Sequence, residues 1–449
     1  MTIARKIYSS LTARRPSSAH HIGWLGCPTP TGLPVTAMPR LLLSALLLIS
    51  ASTGAADLPK ASETCDRTVN QVRWTEVGSP DLGRRPALVS AHRGGVTLAP
   101  ENTLWAYRHA FAYGMDFVEI DVRESLDGVL YSMHDDAVAR TTGGSGNIST
   151  MLSSQIDALN AANFEPWIGS EYDPSPVPRL DDILALARDS QRGIEFDIKF
   201  VKNYLGFFQK VQDYGLMSRS YFNMSGFTVS LAQLLYPELR VIYNLGDGET
   251  AQSLYDETGR SIIYGSAMDK FTPELIAAIH DGCSYVLPHS YDDGHEYEAA
   301  EFLRGLAMGA DGAQSDQPDV IRAALHAPLA VKLAPGSADA AGSNRVCLSN
   351  AENGLGLPGK TLRYGRRDGT DATEARSDRY GCVSLPGAVQ DYWARFTGDA
   401  TAVAAQYNAP EAPTPPTATT PAITEGGSLP LLASLLYLLI AALRRRTLP

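Results

Sequence analysis

Between Pro86 and Leu329 short β-rich runs alternate with stretches of helical apolar spacing, and that alternation leaves few folds open. The runs read, in order, "ALVSAHRG", "FVEIDVR", "GIEFDIK", "YFNMSGF", "RVIYNLG", "SIIYGSA", "CSYVLPH" and "GAQSD". Between them "ENTLWAYRHAFAYG", "RLDDILALARD", "VSLAQLLYP", "FTPELIAAIHDG" and "AAEFLRGLAMG" carry helical spacing, several closed by Gly or Pro. Parallel strands need a crossover of a dozen or more residues, which these helices supply. Eight such strands fit an α/β fold of the (β/α)8 barrel type over residues 86–329.

One further run breaks the alternation. "VLYSMHDDAV" follows "FVEIDVRESLDG" too closely for a crossover, so it reads as the return arm of a hairpin turned at Asp127 and Gly128. Such a hairpin brings His134 back to the barrel rim from which Glu119 and Asp121 emerge.

Functional groups of parallel barrels gather at the C-terminal ends of the strands. His92 and Arg93 end the first run, Glu119 and Asp121 lie on the second, and Asp197 and Lys199 end the third. Two-residue spacing places each of the last two pairs on one face of its strand. Carboxylates that point into a rim need a compensating cation, and Glu119, Asp121 and Asp197 offer an all-oxygen set for one hard divalent ion, Mg2+ or Ca2+. Arg93 and Lys199 suit a phosphate. His92 and His134 are a pair able to carry protons. Together these groups describe phosphodiester hydrolysis.

"HRGGVTLAPENT", "VEIDVRESLDGVLYSMHDDAVARTTGG", "FDIK" and "GADGAQSDQPD" together resemble the glycerophosphodiester phosphodiesterase family, in its order and over nearly the whole barrel. The resemblance implies catalytic roles for His92 and His134, metal ligation by Glu119 and Asp121, and phosphate contacts from Arg93 and Lys199. The third ligand in that family is usually Glu in a Glu-x-Lys pair, where this chain has Asp197 before Lys199. Asp at that place is similar to the sphingomyelinase D group, so a phospholipase D-like activity on sphingomyelin or lysophospholipids stands as the alternative to glycerophosphodiester hydrolysis. Asn102 either contacts phosphate, orients the rim groups or starts a helix.

Several nearby residues have plainer readings. His289 ends a strand with no partner in the sequence and reads as structural; Asp311 and Asp316 read as turn and strand-end packing. Trp167 and Tyr172 either line a substrate mouth or staple their loop.

A net charge of −11 argues against a nucleic-acid partner. The ends carry sorting signals instead. Residues 1–37 are basic and unpatterned and read as an upstream-start artefact. Residues 38–56, "MPRLLLSALLLISASTGAA", have the layout of a signal peptide cleaved after Ala56, and 57–85 form a lead-in.

Residues 330–408 are strand-and-turn material, and "YWARFTGDATAVAA" within them resembles the last strands of bacterial Ig-like repeats. A surface protein that uses this module for adhesion, without catalysis, is a further alternative.

A Pro/Thr linker spans 409–425. In residues 426–449 two glycines, an apolar run shorter than the roughly 20 residues of a spanning helix, and three arginines are similar to the GlyGly-CTERM sorting tail. Either that tail or a short membrane anchor fits. The resemblance implies contact with export and sorting machinery and a periplasmic, surface or extracellular location in a Gram-negative cell, and the tail implies transient or C-terminal membrane association.

Of five cysteines, Cys27 falls in the discarded leader. Cys65, Cys283, Cys347 and Cys382 allow three pairings. Cys347 with Cys382, on two candidate strands of the Ig-like segment, is the preferred one.

Overall fold

The computed structural model describes residues 87–408, apart from 225–231, 233–234, 237–238, 247–249, 251–262, 282–283, 290–297, 326–327, 339–341 and 370–371. The segments read as signal peptide and sorting tail, Cys65, Cys283 and most of the expected helix over "VSLAQLLYP" lie outside the described residues.

Among the described residues eight parallel strands form one sheet. They are β1 (Leu88–Ala91), β2 (Phe117–Glu124), β4 (Gly193–Phe200), β5 (Ser220–Asn223), β6 (Arg240–Asn244), β7 (Ile263–Gly265), β8 (Tyr285–Val286) and β9 (Gly312–Ser315), in spatial order β8-β7-β6-β5-β4-β2-β1-β9. The ring closes at His289, whose backbone pairs in parallel with Ala267 on one side and Gln314 on the other. The short β3 (Leu130–Ser132) lies antiparallel on β2, so the expected hairpin is present.

Strand alternation sorts the side chains. On β2, Val118, Ile120 and Val122 face outward into a layer shared with Tyr107, Phe111 and Leu184 of the surrounding helices. Phe117 faces inward, where it packs with Leu88, Tyr221, Ile242, Ile263 and Leu287 as an apolar floor. Above the floor the interior turns polar. The buried Glu195 accepts from Ser90 Oγ at 2.5 Å and from the Tyr221 hydroxyl at 2.7 Å. Burial still pushes its carboxyl above the ordinary range, and those bonds offset only part of that.

The first helix, α1 (Leu104–Ala112), starts at Thr103, whose Oγ1 accepts from Ala106 N. Its last carbonyls are satisfied from the C-terminal segment. Asn350 donates to Ala112 O at 3.0 Å and Asn353 to Phe111 O at 2.9 Å.

Among its described residues that segment has seven antiparallel strands in two sheets. One holds β10 (Val331–Gly336), β11 (Asn344–Asn350) and β14 (Cys382–Leu385). The other holds β12 (Thr361–Arg366), β13 (Ala372–Arg376), β15 (Tyr392–Phe396) and β16 (Ala405–Tyr407). Cys347 and Cys382 form a disulfide between directly paired residues of β11 and β14. The bridge therefore lies within one sheet, whereas that of an antibody domain joins two. Among the described residues no helix is long and apolar enough to cross a membrane.

Candidate active site

Glu119 and Asp121 on β2 are in register with Glu195 and Asp197 on the adjacent β4. Parallel pairing thus sets Asp121 directly beside Asp197. Glu119, Asp121 and Asp197 each offer an oxygen within 4.8 Å of the others. Glu119 and Asp121 are buried, and Asp197 is partly open. Burial, with the charges of Asp121 and Asp197 close by, pushes Glu119 well above the usual carboxylate range. Crowded, buried, all-oxygen donors of this kind fit a hard divalent ion, whose charge would relieve their repulsion.

Lys199 occupies an irregularity in the strand pair. Val122 pairs with Ile198 and Arg123 with Phe200, so Lys199 is the extra residue of a bulge. Its Nζ lies 2.8 Å from Asp197 Oδ2 and 3.2 Å from Asp121 Oδ1. Burial opposes its charge, but those two carboxylates outweigh it and hold the ammonium above its ordinary range.

The loop after β1 is held in an unusual conformation. Arg93 (φ 49°) and Asn102 (φ 55°) both occupy the left-handed region, which costs a non-glycine residue on the order of 1–3 kcal/mol. In this conformation Arg93 N donates to Glu119 Oε2 at 2.8 Å. Gly94 and Gly95 are glycines for steric reasons as well as for their positive φ. A Cβ on Gly94 would stand 2.7 Å from Ala106 Cβ, and one on Gly95 would stand 2.4 Å from Pro318. The Arg93 Nη1 donates to Glu101 at 3.2 Å, while its buried Nε makes no hydrogen bond and stands 3.7 Å from Asp121. A buried guanidinium nitrogen left open beside the acid cluster is a ready donor for a phosphate oxygen.

Asn102 is fully engaged by the protein. Its amide donates to Asp121 Oδ2 at 2.7 Å, and its oxygen accepts from the Tyr107 hydroxyl at 2.8 Å and from Ser132 Oγ at 2.6 Å. This geometry favours orientation of Asp121 over direct phosphate contact. Asn102 is not the helix-start residue either, because Thr103 caps the helix.

Each of the two histidines is tied to a carboxylate. His92 Nδ1 lies 2.7 Å from Asp316 Oδ1, and His134 Nδ1 lies 2.7 Å from Asp135 Oδ1. The hairpin seats His134 at the rim. Met133 N donates to Asp121 O at 2.9 Å, and Arg123 Nε and Nη2 donate to His134 O at 2.9 and 2.6 Å.

Asp316, read from the sequence as strand-end packing, thus stands on a candidate catalytic ring. Its position directly after β9, where the other rim groups also sit, was the available signal. Asp311 does serve packing, accepting from Val286 N at 2.8 Å and lying 2.9 Å from His280 Nε2. His289 closes the barrel through its backbone. Burial first, and then the nearby His92, lower its imidazole to about 4. Trp167 and Tyr172 pack edge-to-face on each other, and Tyr172 also meets Trp105 and His109, so they staple the loop against α1.

Fold and rim together define a class: an α/β barrel whose open end combines an acid triad, two cationic side chains and two carboxylate-bound imidazoles. Residues 92–224 match the model of the glycerophosphoryl diester phosphodiesterase family, and the chain carries a domain of that family there.

The chain is 39% identical over 110 residues to glycerophosphodiester phosphodiesterase 1 of Homo sapiens, covering 24% of this chain and 33% of the human protein. It therefore spans about a third of the length of that relative. It is 27% identical over 248 residues to a glycerophosphodiester phosphodiesterase of Caldanaerobacter subterraneus subsp. tengcongensis, covering 52% of this chain and 96% of that one. Among solved structures, an Oleispira antarctica phosphodiesterase in complex with the product sn-glycerol-3-phosphate matches with a TM-score of 0.46 and 26% identity, over 54% of this chain and 98% of that one.

Proposed function

We propose that the barrel is a divalent-metal-dependent phosphodiesterase that hydrolyses glycerophosphodiesters to an alcohol and glycerol 3-phosphate. The observation that carries this reading is the convergence of Glu119, Asp121 and Asp197 within 4.8 Å, beside cationic Arg93 and Lys199. Glu119, Asp121 and Asp197 would hold one Mg2+ or Ca2+, which when bound polarises the phosphate and lowers the pKa of the attacking oxygen. Arg93 and Lys199 neutralise phosphate oxygens. Asp316 and Asp135 fix the rings of His92 and His134 through Nδ1, which assigns proton transfer to the opposite nitrogen of each. One ring takes the nucleophile's proton and the other protonates the leaving alkoxide, each step contributing on the order of 10²–10⁴ in rate.

The test is a substrate panel, with glycerophosphocholine, glycerophosphoethanolamine and a lysophospholipid incubated with chelator-stripped protein and then with Mg2+ or Ca2+ restored. Release of glycerol 3-phosphate that depends on the added ion supports the proposal. Absence of turnover on every diester refutes it. A second reading, phospholipase D-like cleavage of lysophospholipids, draws support from the shorter Asp197 carboxylate. Exposed Leu126, Phe200 and Leu205, at or shortly after the C-terminal ends of β2 and β4, also favour it by offering apolar side chains to an acyl chain. Preferred turnover of the lysolipid in the same panel would favour it.

The Ig-like reading of the C-terminal sheets rests on their seven strands in two antiparallel sheets. Export, with 38–56 as leader and 426–449 as sorting tail or anchor, is supported by the Cys347–Cys382 bridge, since disulfides persist in oxidising compartments.

A further inference from the structure

Arg140 lies in a single helical turn, Ala139–Thr142, and its guanidinium makes three charge-assisted contacts. Nη1 and Nη2 donate as a fork to Glu101 Oε2 and Oε1, both at 2.8 Å, and Nε donates to Asp135 Oδ2 at 2.5 Å. Each acceptor continues into the site. Asp135 holds His134 Nδ1 through its other oxygen, and Glu101 Oε1 also accepts from Arg93 Nη1. An unbroken chain of ionic hydrogen bonds therefore runs from His134 through Asp135, Arg140 and Glu101 to Arg93. Glu101 is buried, while the Arg140 side chain is 44% exposed.

We propose that Arg140 is a positioning residue that couples the His134 ring to the Arg93 guanidinium through Asp135 and Glu101. This deepens the phosphodiesterase reading and rests on it. Two guanidinium groups and two carboxylates balance in charge along the chain, and only a planar fork with a third donor can grip both acids at once. Lysine keeps the charge and loses the fork. Without Arg140, Asp135 loses its second anchor and can turn away from His134. Glu101 is then left with Arg93 alone, at the longer distance of 3.2 Å. The two losses have different kinetic signatures, because ring orientation acts on the chemical step and Arg93 on phosphate binding.

The test compares wild type, Arg140→Lys, Arg140→Gln, Glu101→Gln and the Arg140→Gln/Glu101→Gln double variant, in the full chain with Mg2+ and glycerophosphocholine. Thermal melts are recorded beside the kinetics. The Arg140 side chain is largely solvent-facing and the buried Glu101 keeps Arg93 as a partner, so melting temperatures should stay within a few degrees for the Arg140 variants. The expected result is a fall in kcat of about 10- to 100-fold together with a rise in KM of about tenfold in both Arg140 variants, with little recovery by lysine. Glu101→Gln should raise KM about tenfold, and the double variant should be no worse than about the poorer single one. Kinetic constants of Arg140→Lys within twofold of wild type, or single effects that simply multiply, would overturn the proposal.

The imidazole NMR resonances of wild type and Arg140→Gln give a readout that needs no turnover. A changed His134 signal supports the coupling, and superimposable spectra overturn it. An inactive wild type with a changed His134 signal would sink the phosphodiesterase reading while leaving the coupling in place.

Discussion

Asp316 directly follows the last barrel strand and places Oδ1 2.7 Å from Nδ1 of His92, which follows the first. The contact spans 224 positions of sequence and is made possible because β1 and β9 are neighbours in the ring. It fixes the ring and selects which nitrogen faces the rim.

Asp316→Asn keeps the shape of the side chain but removes its charge. Turnover should fall by about 10- to 100-fold while KM stays within about twofold, since the loss falls on proton transfer rather than on binding. Steady-state kinetics check this. A variant that loses affinity and keeps kcat would show that Asp316 serves packing instead.

The acid triad links metal binding to stability. Glu119→Gln removes one of three crowded charges, so the metal-free variant should melt a few degrees above metal-free wild type. It should also lose the rise that Mg2+ or Ca2+ gives wild type, about 2.7 kcal/mol at a hundredfold excess over Kd. Thermal melts with chelator and with added ion measure both effects.

Asp135 sets an acid-side dependence. Burial alone would raise its carboxyl, but Arg140 and His134 hold it down at about 2. A carboxyl depressed in the folded state contributes stability above its unfolded value near 4. That contribution is lost as pH falls from about 4 to about 2. Because a third of the side chain meets solvent, the amount is under about 1 kcal/mol. Denaturant midpoints between pH 5 and 2 should fall less steeply in Asp135→Asn than in wild type.

The Cys347–Cys382 bridge closes a separation of 35 residues. In the chain-entropy model its removal costs about 3–4 kcal/mol. The Cys347→Ser/Cys382→Ser variant should unfold its C-terminal sheets at lower denaturant, which two-probe unfolding with tryptophan fluorescence and circular dichroism would resolve.

Much of this arrangement was legible in the text of the chain. The eight strands and the hairpin showed because strand alternation and crossover length are local rules, and Glu119, Asp121 and Asp197 showed because charged residues at two-residue spacing stand out in apolar strands. Asp316 was hidden because its partner His92 comes from a distant segment, and Arg140 because one of its two acceptors, Glu101, lies 39 positions away. Asp316 has the look of a turn residue, and Arg140 that of a solvated charge. Glu195 had a signal, since it continues the two-residue spacing of Asp197 and Lys199 downward into the barrel. The bulge at Lys199 and the helix Tyr204–Asp213 left no comparable mark; the helix follows β4 after only a short loop, and its aromatic residues suit a strand as well.

The central claim is that one divalent ion shared by Glu119, Asp121 and Asp197 makes the barrel a phosphodiesterase. Calorimetric titration of chelator-stripped protein with Mg2+ or Ca2+, run beside hydrolysis of glycerophosphocholine at the same ion concentrations, tests it most directly. The account predicts one ion bound per chain, activity that rises along the binding curve, and loss of both in Asp121→Asn. Full activity in stripped protein, or binding that survives Asp121→Asn unchanged, would contradict it.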